Sequence, residues 1–481
     1  MTSRTRRYAV LSVTIAGALS AFATLGACSD NPTRTTFADD AGPDGTASLP
    51  DGVAPTDAGT EPDTKLPFDP RDEAVTCAGT PCVVQLVAGS SHFCGRMSDG
   101  TVRCWGDNSL GSLGGAAAPI GDAAAPIVIH VVDGLADVTQ ISAAGETTCA
   151  RVGDGGVFCW GGNANGELGL AVSPAVQDTD PHPSPTRVPL PGPAARVDVG
   201  HQSACAVLAS GELACWGGDE HWQLARPDGG AAPEYQAVRG PALAAVDPLV
   251  VARTSNSTLT ALALTASGEV WSWGAIAGND GVVAGRVSSI SPEAIPKRIQ
   301  GLANVTSLAS SPWILPPPVD PPPGGDFPPP TPEPIPHAHA CALAGGEVQC
   351  WGRSDKGALC TGIPDAEVLP RRAPIKSKAW PQQLAIAEEL TCARLTDGTV
   401  QCCGADRRGR LGTGAVILYS SFFTPAAAFQ GHAVQVATGD GAVCALLQGG
   451  TVECWGSNEH AELGGTTADG LPHPSPSKVA F

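Results

Sequence analysis

The sequence predicts an all-β fold of seven radially arranged units, and three observations predict it. One paragraph of residues recurs seven times, the copies carry a hairpin turn, and a cysteine pair flanks that turn in six of them. Units of this size, holding a few short strands each, cannot bury their apolar faces alone and must stack on their neighbours. Four strands per copy, set as blades around an axis, fit the repeat length. The composition agrees. Among 481 residues there are 59 Gly and 44 Pro but only 5% aromatics, which suits tight turns and short strands rather than long helices.

The copies are easily aligned. The first reads VAGSSHFCGRMSDGTVRCWGDNSLGSLGG, the second SAAGETTCARVGDGGVFCWGGNANGELGL, and the last ATGDGAVCALLQGGTVECWGSNEHAELGG. Their first cysteine position falls at residues 94, 149, 205, 262 (a Leu), 341, 392 and 444. Successive copies lie 51 to 57 residues apart, except that 79 separate the fourth from the fifth. The long interval holds the proline-rich insertion PWILPPPVDPPPGGDFPPPTPEPIP, residues 312–336.

Each hairpin is set by its turn chemistry. Ser98-Asp99-Gly100 is a three-residue loop that places Cys94 opposite Cys104. The fifth copy has lost one turn residue, leaving Gly345-Gly346, and its cysteines are nine rather than ten apart. The shorter turn therefore still places Cys341 opposite Cys350. Cross-strand bridges are expected at Cys94–Cys104, Cys149–Cys159, Cys205–Cys215, Cys341–Cys350, Cys392–Cys402 and Cys444–Cys454. The fourth copy carries Leu262 and Ser272 there and must rely on packing. Zinc would need clustered CxxC or interleaved histidines, and evenly spread pairs supply neither.

Together these motifs resemble the Regulator of chromosome condensation repeat, in a cysteine-bearing bacterial secreted form. The resemblance covers residues 85–481 and implies a seven-bladed β-propeller. It also implies a ring closed by strand sharing. The terminal PHPSPSKVAF echoes PHPSPTRVPL at 181–190, so the C-terminal tail is expected to supply a strand to an N-terminal copy. Trp105, Trp160, Trp216, Trp273, Trp351 and Trp455 recur in phase, which reads as packing between blades.

The chain divides into a signal peptide (1–27), a tether (28–76) and the propeller (77–481). The first begins with Arg4, Arg6 and Arg7, continues apolar, and ends in Leu25-Gly26-Ala27-Cys28. That ending resembles a lipobox, which implies cleavage before Cys28 and a lipid on its sulfur. Ordinary signal cleavage, leaving Cys28 free or paired, is the alternative. Residues 29–76 are acidic, Pro/Gly/Thr-rich and poor in large apolar side chains, so they read as a disordered tether. The expected address is a bacterial envelope membrane, with the propeller in the periplasm or at the cell surface.

Sites of chemistry are few. The net charge of −19 excludes a phosphate-binding stripe, so no nucleic-acid partner is expected. The chain has no G-x-S-x-G, H-E-x-x-H or P-loop motif, and no cofactor or metal is expected. His337 and His339 resemble a metal pair, yet His339 stands two before Cys341 as His92 stands two before Cys94, which points to core hydrogen bonding. The exchange activity of the family's eukaryotic founder on a small GTPase does not carry over, because no matching motif is present.

Candidate partner-binding residues are Trp313 and Phe327 in the insertion, against a solvated spacer as the plainer reading, and Trp222, which is either a hot spot or a gap filler. The predicted function is a monomeric scaffold that binds an envelope or extracellular protein or glycan and meets the membrane through its lipid alone. An envelope hydrolase with a carboxylate/His site assembled across blades is the alternative.

Two cysteines break the pattern. Cys403 stands where other copies carry Trp, and Cys360 replaces the last Gly of the G-x-L-G segment. With Cys77–Cys82 taken as a local pair, an inter-blade Cys360–Cys403 bridge is expected, with two free thiols as the alternative.

Overall fold

The computed structural model describes residues 68–481 except 70, 72, 116–128, 171–176, 227–233, 240–250, 259, 275–282, 288–292, 313–336, 364–365 and 466. The signal peptide, Cys28, most of the tether, Trp313 and Phe327 therefore lie outside the described residues.

Seven four-stranded antiparallel sheets follow one another along the chain, each a simple meander. Blades 1 to 7 occupy residues 83–131, 138–187, 194–239, 251–298, 305–372, 381–425 and 433–478. The first strand of each blade neighbours that of the next, and blade 7 meets blade 1, which closes a ring around a central channel. This is the seven-bladed all-β propeller that the repeats predict.

The hairpins have the register that their turns dictate. Cys94 pairs with Cys104, Cys149 with Cys159 and Cys205 with Cys215. In blade 5 Ala344 pairs with Glu347 across the two-glycine turn, which restores Cys341 opposite Cys350. All six pairs have Cα atoms 4.1 Å apart, the close spacing of directly opposed strand residues. Cys77 and Cys82 are also paired, with Cα atoms 5.8 Å apart. In blade 4 Leu262 and Ser272 take these places; Leu262 is fully buried, and the Ser272 hydroxyl donates to Ala284 O at 2.7 Å.

Ring closure differs from expectation. Asp469–Lys478 is the outermost strand of blade 7 itself, paired with Val452–Asn458, and among the described residues no strand is shared. The echo at 181–190 has the same meaning in blade 2, whose outermost strand is Asp178–Arg187. In both strands prolines alternate with other residues along a sheet edge, where a missing N–H breaks no ladder and discourages further pairing. Each blade holds its own four strands, so closure falls to side chains. The Phe481 ring meets Trp105 of blade 1 edge-on, with centroids 5.4 Å apart.

Part of the segment that the sequence reads as tether packs on the propeller. Phe68 packs edge-on against Trp380, the Thr76 amide donates to Gln448 O, and Glu73 pairs with His432 at 2.8 Å. An aromatic ring and a carboxylate with waiting partners are enough to hold Phe68 and Glu73 against blades 6 and 7.

Candidate functional site

The blades are joined by a repeated set of contacts that positions the channel. All six in-phase tryptophans are fully buried. Each indole N–H donates to a backbone carbonyl of the preceding blade: Trp160 to Ser112 at 2.9 Å, Trp216 to Glu167 at 2.6 Å and Trp455 to Arg410 at 3.0 Å. The last Gly of G-x-L-G lies beneath the ring. A Cβ on Gly412 would come within 2.7 Å of the Trp455 Nε1, and one on Gly169 within 3.0 Å of Trp216.

Blade 6 lacks this contact, and the two unusual cysteines occupy its two halves. Cys403 replaces the ring and Cys360 replaces the glycine beneath it. The two are paired, fully buried, with Cα atoms 5.6 Å apart. Cys360 retains the left-handed backbone of the glycine it replaces, at φ 56°.

The recurrent histidines serve the same seams. His92 Nε2 lies 2.7 Å from Thr148 Oγ1, and His339 Nε2 lies 2.8 Å from Thr391 Oγ1. Thr391 donates its own proton to Ala358 O, so His339 must donate through Nε2–H. Burial pushes both imidazoles down to about 4. Each therefore contributes roughly 3 kcal/mol of stability, complete above pH 6.5 and lost as the pH falls towards 4, because only the unfolded chain takes up the proton readily. His339→Gln is expected to lose less stability than the wild type between pH 6.5 and 4.5, read from urea midpoints. Parallel curves would show that the buried imidazole protonates without cost.

Four glutamines at one repeated position, not foreseen from the sequence, clamp neighbouring blades, and Gln85, Gln383 and Gln435 of these line the channel. In every blade the pairing of first and second strands skips one residue, in blade 1 between Val83 and Gln85. Such a bulge re-aims the side chain that follows it. Gln85 donates to Ile141 O at 2.8 Å and accepts from Ile141 N at 3.0 Å. Gln140 bonds Val197 in the same way, and Gln383 bonds Val436. Blades 3, 4 and 5 carry Arg196, Arg253 and Ser307 at this position, which breaks the symmetry. The signal was present as a phased Gln, but phase alone does not tell an inter-blade clamp from a solvated side chain.

The channel has a volume of about 350 Å³. In a meander, the first and third connections leave from one face, and here that face carries most of the ionisable groups. His201 and Asp440 line the channel mouth there. Glu146 and Glu388 belong to the equivalent connections of blades 2 and 6. Burial, reinforced by Asp107 and Asp440, raises Glu146 to about 7. Burial and then Asp440 also raise Glu388, while burial lowers His201. Burial alone would raise Glu389, but a hydrogen bond from His337 and the charges of Arg407 and Arg410 hold it below its ordinary value. His337 thus pairs with carboxylates, Asp355 at 3.0 Å and Glu389 at 3.5 Å. Among the described residues no group of three or more His, Cys, Asp or Glu could hold a metal ion.

Trp222 belongs to the third connection of blade 3, on this same face. It takes φ 60° where Gly111, Gly166 and Gly409 have φ 83°, 82° and 82°. A tryptophan held in the left-handed region stores strain of order 1 kcal/mol. Its ring is half-buried and its Nε1 has no hydrogen-bond partner. The insertion begins beside Ser311 and ends before His337, so its anchor points lie on this face too.

Comparison with known proteins agrees with the geometry. Residues 83–112, 138–167 and 433–462 match one model described as the Regulator of chromosome condensation (RCC1) repeat, and residues 154–207 match a second. The chain is 27% identical over 194 residues to the Ultraviolet-B receptor UVR8 of Arabidopsis thaliana, covering 40% of this chain and 41% of that protein. It is 32% identical over 160 residues to human Regulator of chromosome condensation, covering 33% and 35%. The match to mitochondrial RUG3 of Arabidopsis thaliana, 26% over 292 residues, covers 59% and 57%. The chain thus spans well under two thirds of the length of these relatives. Among solved structures, Prp20p of Saccharomyces cerevisiae superposes with a TM-score of 0.60 at 17% identity, covering 83% of this chain and 88% of that one. Human WBSCR16 gives 0.58 at 19%, covering 76% and 86%. The chain is a seven-bladed propeller with segments in blades 1, 2, 3 and 7 that match the Regulator of chromosome condensation repeat.

Proposed function

We propose that this chain is a lipid-anchored propeller of the bacterial envelope that binds a protein or glycan through its loop face. The observation that carries the reading is the rim of blade 6. Val416, Ile417, Leu418, Tyr419 and Phe422 are all exposed, Leu418 by 79% and Phe422 by 51%. Residues 411–431 contain no charged side chain in a chain of net charge −19. Ile363 of the neighbouring loop is also exposed and extends the patch. An apolar surface of this kind marks a contact with another macromolecule, and its mix of aliphatic and aromatic side chains without charge suits a protein. One structural neighbour supports that choice, since Prp20p, the yeast RCC1, has binding properties to Gsp1p and histones and has been solved with Kap60 bound. The anchor and the address rest on the N-terminal pattern ending at Cys28.

Affinity capture from intact envelopes tests the reading, with the wild type, a deletion of 312–336 and the variant Leu418→Glu/Phe422→Glu. The double variant is expected to recover at least tenfold less partner. Equal recovery by all three would remove the apolar rim from the interaction.

One observation favours a second reading, an envelope hydrolase. His201 and Asp440 line the channel mouth, Glu146 and Glu388 lie close enough to Asp440 to feel its charge, and a carboxyl raised to about 7 suits a general acid. Turnover of chromogenic glycosides or peptides that is abolished by Glu146→Gln would establish it.

A further inference from the structure

On the face that carries the hairpin turns, opposite the loop face, neighbouring blades are joined by a repeated exchange of backbone hydrogen bonds. The residue before a blade's first strand accepts from that blade's own turn, as Gly153 N donates to Asp137 O at 3.0 Å in blade 2 and Gln448 N to His432 O at 3.1 Å in blade 7. The first strand residue then donates to the turn of the preceding blade, Val138 N to Gly100 O at 3.1 Å and Ala433 N to Gly398 O at 2.9 Å. At these seams the joining residue arrives along the chain from the preceding blade. At the seam of blades 7 and 1 its place is taken by Cys82, which accepts from Ser98 N at 2.8 Å while Val83 N donates to Gly450 O at 3.1 Å. The chain reaches Cys82 from residues 68–81 instead.

That segment is a strap across the closing seam. Ala78 N donates to Gly449 O at 3.1 Å and Thr76 N to Gln448 O at 2.8 Å, both on the blade 7 turn. Glu73 accepts from Gln448 Nε2 and pairs with His432, each at 2.8 Å, and Gln382 Nε2 of blade 6 donates to the Asp69 and Arg71 carbonyls at 3.1 Å. Phe68 reaches the two-glycine turn of blade 5, where a Cβ on Gly346 would come within 3.1 Å of its ring. The Cys77–Cys82 bridge ties the two ends of the closing contact together, Thr76 and Ala78 on blade 7 and Cys82 on blade 1. It also differs from the other seven bridges in exposure. Their fourteen cysteines are all 0% exposed, whereas Cys77 is partly exposed and residues 78–81 beside it are fully so. Exchange requires a thiolate to reach a bridge sulfur, so exposure selects the bridge that reacts.

We propose that Cys77–Cys82 is a redox-sensitive clasp on the ring: a dithiol reduces it before any other bridge, the strap lifts, and the seam between blades 7 and 1 loosens. One thiolate of the dithiol attacks Cys77 Sγ, the S–S bond breaks, and its electron pair leaves on Cys82 Sγ, which takes up a proton. The second thiol attacks the mixed disulfide, frees Cys77 as a thiol and leaves the dithiol oxidised to its own disulfide. Two electrons and two protons pass to the protein. Without the link, Thr76 and Ala78 are held on the blade 7 turn by single backbone bonds at an exposed surface, which open readily. The clasp goes beyond the binding reading above and does not depend on it.

The test titrates the full-length chain with dithiothreitol under native conditions, alkylates the freed thiols and maps them by peptide mass spectrometry. Cys77 and Cys82 are expected to be labelled at a dithiothreitol concentration roughly tenfold below that needed for any of the other bridged cysteines. Hydrogen exchange at that concentration reads the clasp itself. Amides of residues 73–82 are expected to exchange roughly tenfold faster, and those of Val83–Ala88 and Ala433–Thr438 at the closing seam roughly threefold faster. Val138–Ala144 and Ala194–Val199, at the seam of blades 2 and 3, should not change. Cys77→Ser/Cys82→Ser is expected to show the faster exchange without dithiothreitol and no further response to it. The titration of the wild type needs no substitution, so a variant that fails to fold leaves the result standing. Earlier or simultaneous reduction of a buried bridge overturns the selectivity. Selective reduction that leaves exchange at the closing seam unchanged, or that speeds every seam equally, overturns the clasp.

Discussion

Trp160→Ala is expected to lower the stability of the propeller by about 3–5 kcal/mol, the usual cost of truncating a fully buried aromatic ring. The ring is wholly enclosed and packs into the seam between blades 1 and 2, against Leu113, Val132, Val138 and Ile141. Its N–H is also the donor to Ser112 O, which would be left buried and without that bond. Trp160→Phe keeps most of the apolar contact and loses the donor, so it should cost roughly 1–2 kcal/mol. Urea midpoints of the two variants separate packing from hydrogen bonding. Equal losses would mean that the ring volume contributes little. The same order of losses is expected at Trp455, which repeats the donor bond at 3.0 Å to Arg410 O and packs in addition on the Phe429 ring.

Restoring the usual seam in blade 6 is the second large expected effect. Cys403→Trp alone would drive an indole onto residue 360, where the seams of Trp160, Trp216, Trp351 and Trp455 keep a glycine directly under the ring. Overpacking of this kind costs about 1–3 kcal/mol. Loss of the Cys360–Cys403 link, which spans 43 residues, adds roughly 4 kcal/mol in a chain-entropy model. Cys360→Gly alone loses the link and opens a gap, but it relieves the left-handed strain at that residue. The double variant Cys360→Gly/Cys403→Trp should recover the overpacking loss, and because the link is lost only once, the double-mutant cycle should show a coupling of roughly 5–7 kcal/mol, about 4 of it from the shared link and the rest from the relieved overpacking. Additive losses would show that the two positions do not meet. Peptide mapping without reduction checks the link itself, and alkylation of both thiols before reduction would sink it.

The elements legible in the sequence are those set by local chemistry. Asp-Gly and Gly-Gly turns fix which residues face each other across a two-stranded hairpin, and the one-residue deletion in blade 5 leaves Cys341 opposite Cys350 for that reason. The phase of Trp, Gly and His was equally plain, because repeated units repeat their contacts. The doublet Cys402-Cys403 could be divided on the same grounds, as neighbouring strand residues point to opposite sides.

What was not legible depends on which strand ends lie side by side once the ring has closed. The echo of PHPSP at the two ends marks equivalent outermost strands, and whether a blade borrows its fourth strand is decided by where the ring closes. Phe68 and Glu73 read as tether because their partners, Trp380 and His432, are more than 300 residues away. The mouth is the strongest case. His201, Asn256 and Asp440 come from three blades and share no motif or spacing.

The sequence by itself determined the all-β class, the seven units, the hairpin registers and the residues that hold blade to blade, because each rests on turn chemistry or on phase within a repeat. Only the tertiary structure decided how the ring closes, where the glutamine clamps give way to arginines, and which carboxylates face one another. Those depend on Coulomb and hydrogen-bond contacts that form when distant strands meet around a common axis.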